Sequence, residues 1–209
     1  MNILQTLARE RILPVLVIDH AADAVPLARA LLAGRLTSAE ITLRTADALE
    51  SIRRVVAEVP EIKVGAGTVL SAEQAKAAVD AGAQFLVSPG FNASVVQTAQ
   101  AMGTPIFPGC VTPTEVEAAL AQGCSSLKFF PAEPAGGVPY LQALAAPHAD
   151  VRFIPTGGIS AANFGAYLAL PNVLAVGGSW MATREMIAAQ NWETITKHCV
   201  AAARFSGIL

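Results

Sequence analysis

AALAQGCSSLKFFP, residues 118–131, carries the punctuation that decides the fold: an alanine-rich helical stretch, a glycine, then a short apolar run. A glycine after a helix supplies the left-handed C′ residue that ends it, and a strand shortly afterwards makes this the αβ half of a βα unit. The same order recurs in ARALLAGRLTSAEITL (28–43), AAVDAGAQFLVSPG (77–90) and AQAMGTPIFPG (99–109), so Gly34, Gly82, Gly103 and Gly123 read as helix-ending residues. Helix starts alternate with them. Ser71 precedes AEQAKAA, Thr112 and Pro113 precede TEVEAAL, and Ser160 precedes AANFGAYL, all suited to N-cap or N1 positions. Ser71 and Gln74 have the spacing of a capping box.

Counting outward from these units gives apolar runs at 12–18, 39–43, 62–66, 84–88, 105–108, 126–130, 151–155 and 173–176, with helical patterns between them. Strict βα alternation requires parallel strands joined by helical crossovers. Eight such units in 209 residues predict an α/β fold, a compact (β/α)8 TIM barrel forming a single domain over 1–209, with a short N-terminal helix ahead of the first strand. An open doubly wound sheet is the alternative. Against it, no GxGxxG follows the first strand, and the glycine pairs follow the seventh and eighth, where barrels commonly seat a phosphate.

Composition narrows the class of function. With 53% apolar residues, 14% charged and a formal charge of −2, the chain is a folded globular protein without the basic excess that nucleic acid requires. The apolar run Ile12–Ile18 is too short for a secretory signal or a membrane span, so a cytoplasmic location and no membrane role are expected. Cys110, Cys124 and Cys199 are odd in number and far apart, and His20, His148 and His198 show no HxH or HExxH spacing. Neither a disulfide framework nor a metal centre is expected, and no cofactor is implied.

Lysine placement points to chemistry. Lys76 lies in a helical run, Lys197 in the polar last helix, and Lys63 at the start of strand 3, the structural end of a barrel. Lys128 instead lies inside SSLKFFP, near the C-terminal end of strand 6. With a strand period of two, Ser126, Lys128 and Phe130 share one face, while Leu127 and Phe129 share the other and pack on the helices. Lys128 then points into the barrel, where desolvation favours a neutral, nucleophilic amine. A buried lysine paired with a carboxylate, or one that snorkels to the rim, is the structural alternative.

In strand 2, AEITLRT, the residues Glu40, Thr42 and Arg44 share the opposite parity to Ile41 and Leu43. An acid, a hydroxyl and a guanidinium lining an interior are costly as mere structure, although an internal Glu–Arg pair would also satisfy them. At ~3.3 Å per residue, Glu40 and Arg44 lie about 13 Å apart along a strand, better placed to flank a ligand than to pair. GAGTVLS, after strand 3, offers glycines for close backbone approach to a ligand and the hydroxyl of Thr68. TGGIS (156–160) and GGSW (177–180) follow adjacent strands and would present Gly157, Gly158, Gly177, Gly178 and Ser179 around one anion, or serve only as tight turns.

EITLRT (40–45), GAGTV (65–69), LVSPG (86–90), LKFFPAE (127–133), PTGGIS (155–160) and GGSW (177–180) occur in order over most of the chain. Together they resemble the motifs of the 2-dehydro-3-deoxy-phosphogluconate (KDPG) aldolase and 4-hydroxy-2-oxoglutarate aldolase family. KFFPAE is the specific one; GAGT and TGGI also occur in other phosphate-binding barrels. The resemblance implies a homotrimeric class I aldolase that needs no metal and cleaves a phosphorylated 2-oxo acid, KDPG, to pyruvate and glyceraldehyde 3-phosphate in the Entner–Doudoroff pathway. It places the imine-forming lysine on Lys128, the general acid/base on Glu40, the carboxylate-binding arginine on Arg44 and a substrate-contacting threonine on Thr68. Phosphate contacts fall on the Gly157–Gly158 turn and on Ser179. Phe130 or Phe129, with Pro89 and Pro131, would exclude water. Some relatives carry arginine in the first strand, where this chain has Val17. The rival readings are an aldolase for 4-hydroxy-2-oxoglutarate or the galactonate-derived epimer, a phosphate-binding isomerase or synthase, and a sugar-phosphate sensor without turnover.

Overall fold

The computed structural model describes residues 2–207. Helix α1 (Ile3–Glu10) leads into β1 (Ile12–Leu16), a 3-10 turn (Ala21–Asp23), α2 (Ala24–Ala33) and β2 (Ser38–Thr42). Next come α3 (Ala48–Glu58), β3 (Lys63–Gly67), α4 (Ala72–Asp80), β4 (Leu86–Val87), α5 (Ala93–Ala101), β5 (Ile106–Phe107) and β6 (Gly109–Cys110). The chain continues through α6 (Pro113–Ala121), β7 (Ser126–Phe129), α7 (Gly137–Ala145), β8 (Arg152–Pro155), α8 (Phe164–Leu168), β9 (Val176–Gly178), α9 (Arg184–Ala188) and α10 (Trp192–Phe205). Every ladder is parallel, in the orders β5-β4-β3-β2-β1-β9 and β6-β7-β8.

The two sheets are arcs of one barrel. Pro108 separates β5 from β6, because a residue without an N–H cannot donate to a ladder. Bridges Phe153↔Val173 and Thr156↔Gly177 join β8 to β9 and close the ring. The expected eight staves are therefore present, the fifth broken in two. The last is displaced: the run 173–176 meets β8 at Val173, but the strand proper is Val176–Gly178.

Local signals explain most helix ends. Gly82, Gly103 and Gly123 adopt positive φ as expected, whereas Gly34 has φ −81° and Arg35 takes the left-handed position instead. Gly34 answers a different need, since a Cβ there would lie 2.2 Å from Cys199 Cβ on α10. Thr112 and Glu115 form a complete capping box with Pro113 at the first turn of α6. The Ser71 side chain caps α4, but Gln74 turns back to accept from Leu70 N rather than Ser71 N, so that box is half formed. The helix expected after Ser160 begins only at Phe164, because Ser160 N donates to Asn163 Oδ1 within a turn.

Strand alternation sorts the core into two layers. Leu127 and Phe129 face the helices, where Phe129 stacks on Tyr140 of α7 at 6.0 Å between ring centroids. Inside the barrel lie Leu13, Phe85, Val87, Phe107, Ile154 and Ala175, with Ile3 and Leu7 of α1 packed beneath them. Helix α1 thus plugs the N-terminal end of the barrel. Its last residue, Glu10, is fully buried and accepts from Thr37 N at 3.0 Å, Ser38 Oγ at 2.9 Å and the Thr37 hydroxyl. Among the described residues, no helix is long and apolar enough to cross a membrane.

Candidate active site

Above the apolar filling the barrel interior turns polar. Lys128, on β7, is 6% exposed and its Nζ lies 3.2 Å from Glu40 Oε1 on β2, itself 1% exposed. The Phe130 ring covers the amine, with Nζ 5.1 Å from its centroid. Phe130 rather than Phe129 therefore walls the site, as Phe129 points outward.

Glycines on β3 create the space for this pair. A Cβ at Gly65 would meet the Phe85 ring at 2.3 Å, and one at Gly67 would lie 2.1 Å from Glu40 Oε1. Both positions face inward by parity with Lys63, and both are filled by a neighbour's side chain. The expectation that these glycines admit a ligand is corrected: they admit Phe85 and the Glu40 carboxyl. Thr68, which follows, is half-buried with φ +58°, a left-handed conformation that costs a β-branched residue about 1–3 kcal/mol. Such strain persists where the surroundings over-determine it, here at the mouth of the barrel.

Arg44 departs from the expected geometry. Strand β2 ends at Thr42, whose Oγ1 donates to Leu16 O at 2.9 Å, and Arg44 N donates back to Thr42 O at 2.8 Å in a tight turn. That turn breaks the alternation, so Arg44 is exposed at the rim rather than on the inner face of the strand. Among the described residues no carboxylate lies within 4 Å of its guanidinium, and Glu40 pairs with Lys128 instead. Pro89 is half-buried beyond β4. Val17 is half-buried at the end of β1. Just past it, Asp19 accepts two hydrogen bonds from Arg184, at 2.7 and 2.6 Å, which hold its carboxyl below the usual range.

The two Gly-rich turns meet at the Thr156↔Gly177 bridge. Gly157 and Gly158 both have positive φ, +100° and +78°. Gly177 and Gly178 are buried, and Ser179 is exposed beside them. A Cβ at Gly177 would lie 2.2 Å from Thr156 Oγ1, and one at Gly178 would lie 2.0 Å from the Trp180 ring. Close packing of Thr156 and Trp180 by itself demands glycine at these two positions. The sequence reading did not single out Thr156, although its parity with Ile154 marks it as inward-facing. A cavity of about 580 Å³ lies away from Lys128, between Trp180, Phe164 and the α10 residues His198 and Phe205.

Cys110, Cys124 and Cys199 are unpaired and buried, and burial pushes the thiols of Cys110 and Cys199 up to about 12. Of the other lysines, Lys76 and Lys197 are on the helices and Lys63 is half-buried at the start of β3. Lys128 is the one set in the barrel interior at its open end.

The family model for KDPG and KHG (4-hydroxy-2-oxoglutarate) aldolases matches residues 3–198. The chain belongs to this family. It is 48% identical over 196 residues to the 2-dehydro-3-deoxy-phosphogluconate aldolase of Treponema pallidum, covering 94% of this chain and 93% of that one. To the KHG/KDPG aldolase of Escherichia coli K12 it is 46% identical, covering 89% and 87%. Among solved structures, the KDPG aldolase of Legionella pneumophila, with pyruvate captured as a covalent carbinolamine, superposes with a TM-score of 0.92 at 40% identity, covering 95% and 97%. These likenesses fit the (β/α)8 architecture over the whole described barrel.

Proposed function

We propose that this chain is a class I aldolase that cleaves 2-dehydro-3-deoxy-6-phosphogluconate to pyruvate and glyceraldehyde 3-phosphate through an imine on Lys128. The observation that carries the reading is the buried Lys128–Glu40 pair at 3.2 Å. A carboxylate at this distance can take the ammonium proton and leave the amine free to attack. Lys128 Nζ adds to the C2 ketone, and Glu40 passes the proton it took to the carbinolamine hydroxyl, which leaves as water to give a protonated imine and restore the Glu40 carboxylate. Glu40, acting through water, then removes the C4 hydroxyl proton. The C3–C4 bond breaks, its electron pair passes into the imine to form an enamine, and the aldehyde leaves. Glu40 returns that proton to C3, and water hydrolyses the protonated imine to release pyruvate and restore the Lys128 ammonium.

The remaining residues hold the substrate. Arg44, at the rim and without a carboxylate partner among the described residues, and Thr68 receive the substrate carboxylate so that C2 meets the amine in a productive pose. Pro89 and Phe130 limit water around the imine. Gly157 and Gly158, with the Gly177–Gly178 strand end and Ser179, seat the phosphate. The E. coli relative's name supports a second substrate, the unphosphorylated 4-hydroxy-2-oxoglutarate, which would use the same imine and leave the phosphate seat empty. A cytoplasmic homotrimer accompanies this reading through the family resemblance.

Incubation with pyruvate and borohydride tests the mechanism by intact mass and peptide mapping. One reduced pyruvyl group per chain, on Lys128, is the expected result. A label on Lys63, Lys76 or Lys197 overturns the assignment to Lys128, and no label overturns the imine and favours an isomerase, a synthase or a sensor.

A further inference from the structure

The segment after β7, Pro131–Glu133, runs beside the Gly157–Gly158 turn and is bonded to it twice: Ala132 N donates to Thr156 O at 2.8 Å, and Glu133 N to Gly157 O at 3.0 Å. In a trans peptide the carbonyl and the following N–H point in opposite directions. With the carbonyls of Thr156 and Gly157 both turned toward Ala132 and Glu133, the N–H groups of Gly157 and Gly158 are turned away from that segment, side by side. Two successive N–H groups directed one way form a concave anion seat.

The side chain of Glu133 occupies the other side of this turn. A Cβ at Gly158 would lie 2.6 Å from Glu133 Cβ, so the glutamate stem lies against the bare face of the glycine. Its carboxylate is in turn held by the hydroxyl of Tyr167, a fully buried residue of α8 that donates to Glu133 Oε1. The same helix is tied to the turn from its start, where Asn163 Nδ2 donates to Gly158 O at 3.1 Å. Burial and the Glu133 carboxylate together push the Tyr167 hydroxyl well above its ordinary value, so it stays a donor throughout the working pH range.

We propose that Glu133, braced by Tyr167, is the positioning residue of the anion-binding turn: it sets the direction of the Gly157 and Gly158 N–H groups and so selects for phosphorylated substrates. It touches neither the amine nor the reacting carbons, and it rests on the reading of the Gly157–Gly158 turn as the phosphate seat. What matters is the shape of the stem and a hydrogen-bond acceptor for Tyr167, not the negative charge, which would itself oppose an anion.

The test compares the full-length protein with Tyr167→Phe, Glu133→Ala and Glu133→Gln. Loss of one hydrogen bond of neutral-group strength predicts that Tyr167→Phe raises KM for the phosphorylated substrate roughly threefold to tenfold. Its kcat, and its KM for 4-hydroxy-2-oxoglutarate, should stay within about twofold. Glu133→Ala should do the same or more, and Glu133→Gln, which keeps stem and acceptor, should restore most of the wild-type value. Inorganic phosphate binding, followed by calorimetry, should weaken in parallel, while pyruvate trapping on Lys128 proceeds at the wild-type rate. A merely structural role would raise KM for both substrates together or lower thermal stability without the split; either result, or unchanged phosphate affinity in both Tyr167→Phe and Glu133→Ala, overturns the proposal. Should the wild type fail to trap pyruvate, the aldolase reading falls, and the phosphate measurement still decides this one.

Discussion

One methyl group at Gly67 probes how the site is built. An alanine Cβ there would lie 2.1 Å from Glu40 Oε1 and 2.6 Å from its Cγ, and the carboxyl end of a glutamate is the part able to move. Gly67→Ala is therefore expected to fold, to displace the acid/base group, and to lower kcat on the order of 10²-fold, the lower end of what such a group contributes. Glu40→Gln keeps the volume and removes the base, with an expected fall of about 10² to 10⁴-fold. Because the imine itself needs mainly the amine, both variants should still trap pyruvate to completion, more slowly. Steady-state kinetics beside the trapping assay separates the two steps; normal turnover in Glu40→Gln would return Glu40 to the role of a structural partner for Lys128.

Among the elements, α6 shows how a local motif is tuned by charge. The Glu115 carboxylate accepts from Val111 N at 2.9 Å, Thr112 N at 2.8 Å and Thr112 Oγ1 at 2.9 Å, while Thr112 Oγ1 caps Glu115 N. Burial opposes its ionisation, but these hydrogen bonds prevail and hold the carboxyl below its ordinary value. A carboxyl with a lowered folded pKa contributes stability above its unfolded pKa and loses it as the pH falls through the folded value. Glu115→Gln should thus cost about 1 kcal/mol near neutrality, in the range of a helix cap. The gap between wild type and variant should close in urea titrations repeated in acid. A gap that persisted there would assign the cost to shape rather than charge. The neighbouring α4 lacks half of this device, since Gln74 bonds Leu70 N.

At the scale of the whole molecule, stability and chemistry sit at opposite ends of the barrel. Leu7 of α1 is fully buried against the interior layer, below the polar region that holds Lys128. Leu7→Ala should destabilise the fold by about 2–5 kcal/mol, as for other buried leucines, through lost burial and the cavity left behind. Turnover per folded molecule should remain near wild type. Denaturant midpoints measured alongside kcat check both halves, and a parallel loss of kcat would show that the plug also shapes the site.

Period-two alternation is local stereochemistry, so the inward parity of Lys128 and Glu40, the outward parity of Leu127 and Phe129, and the βα order of the barrel were all legible in the sequence. Helix caps such as Thr112 were legible for the same reason, because a cap needs only its own next turn. Tertiary structure alone decided the rest. That Lys128 meets Glu40, 88 residues away, depends on barrel closure rather than on either strand. Where β2 stops, and so whether Arg44 lines the interior or the rim, is set by the turn after Thr42. The glycines divide likewise: Gly157 serves backbone conformation, Gly158 serves both that and the Glu133 stem packed against it, and Gly34, Gly65, Gly67, Gly177 and Gly178 make room for side chains from elsewhere in the chain. A missing side chain is visible in a sequence, but the neighbour that fills its place is fixed only when distant segments pack to the density of a protein interior.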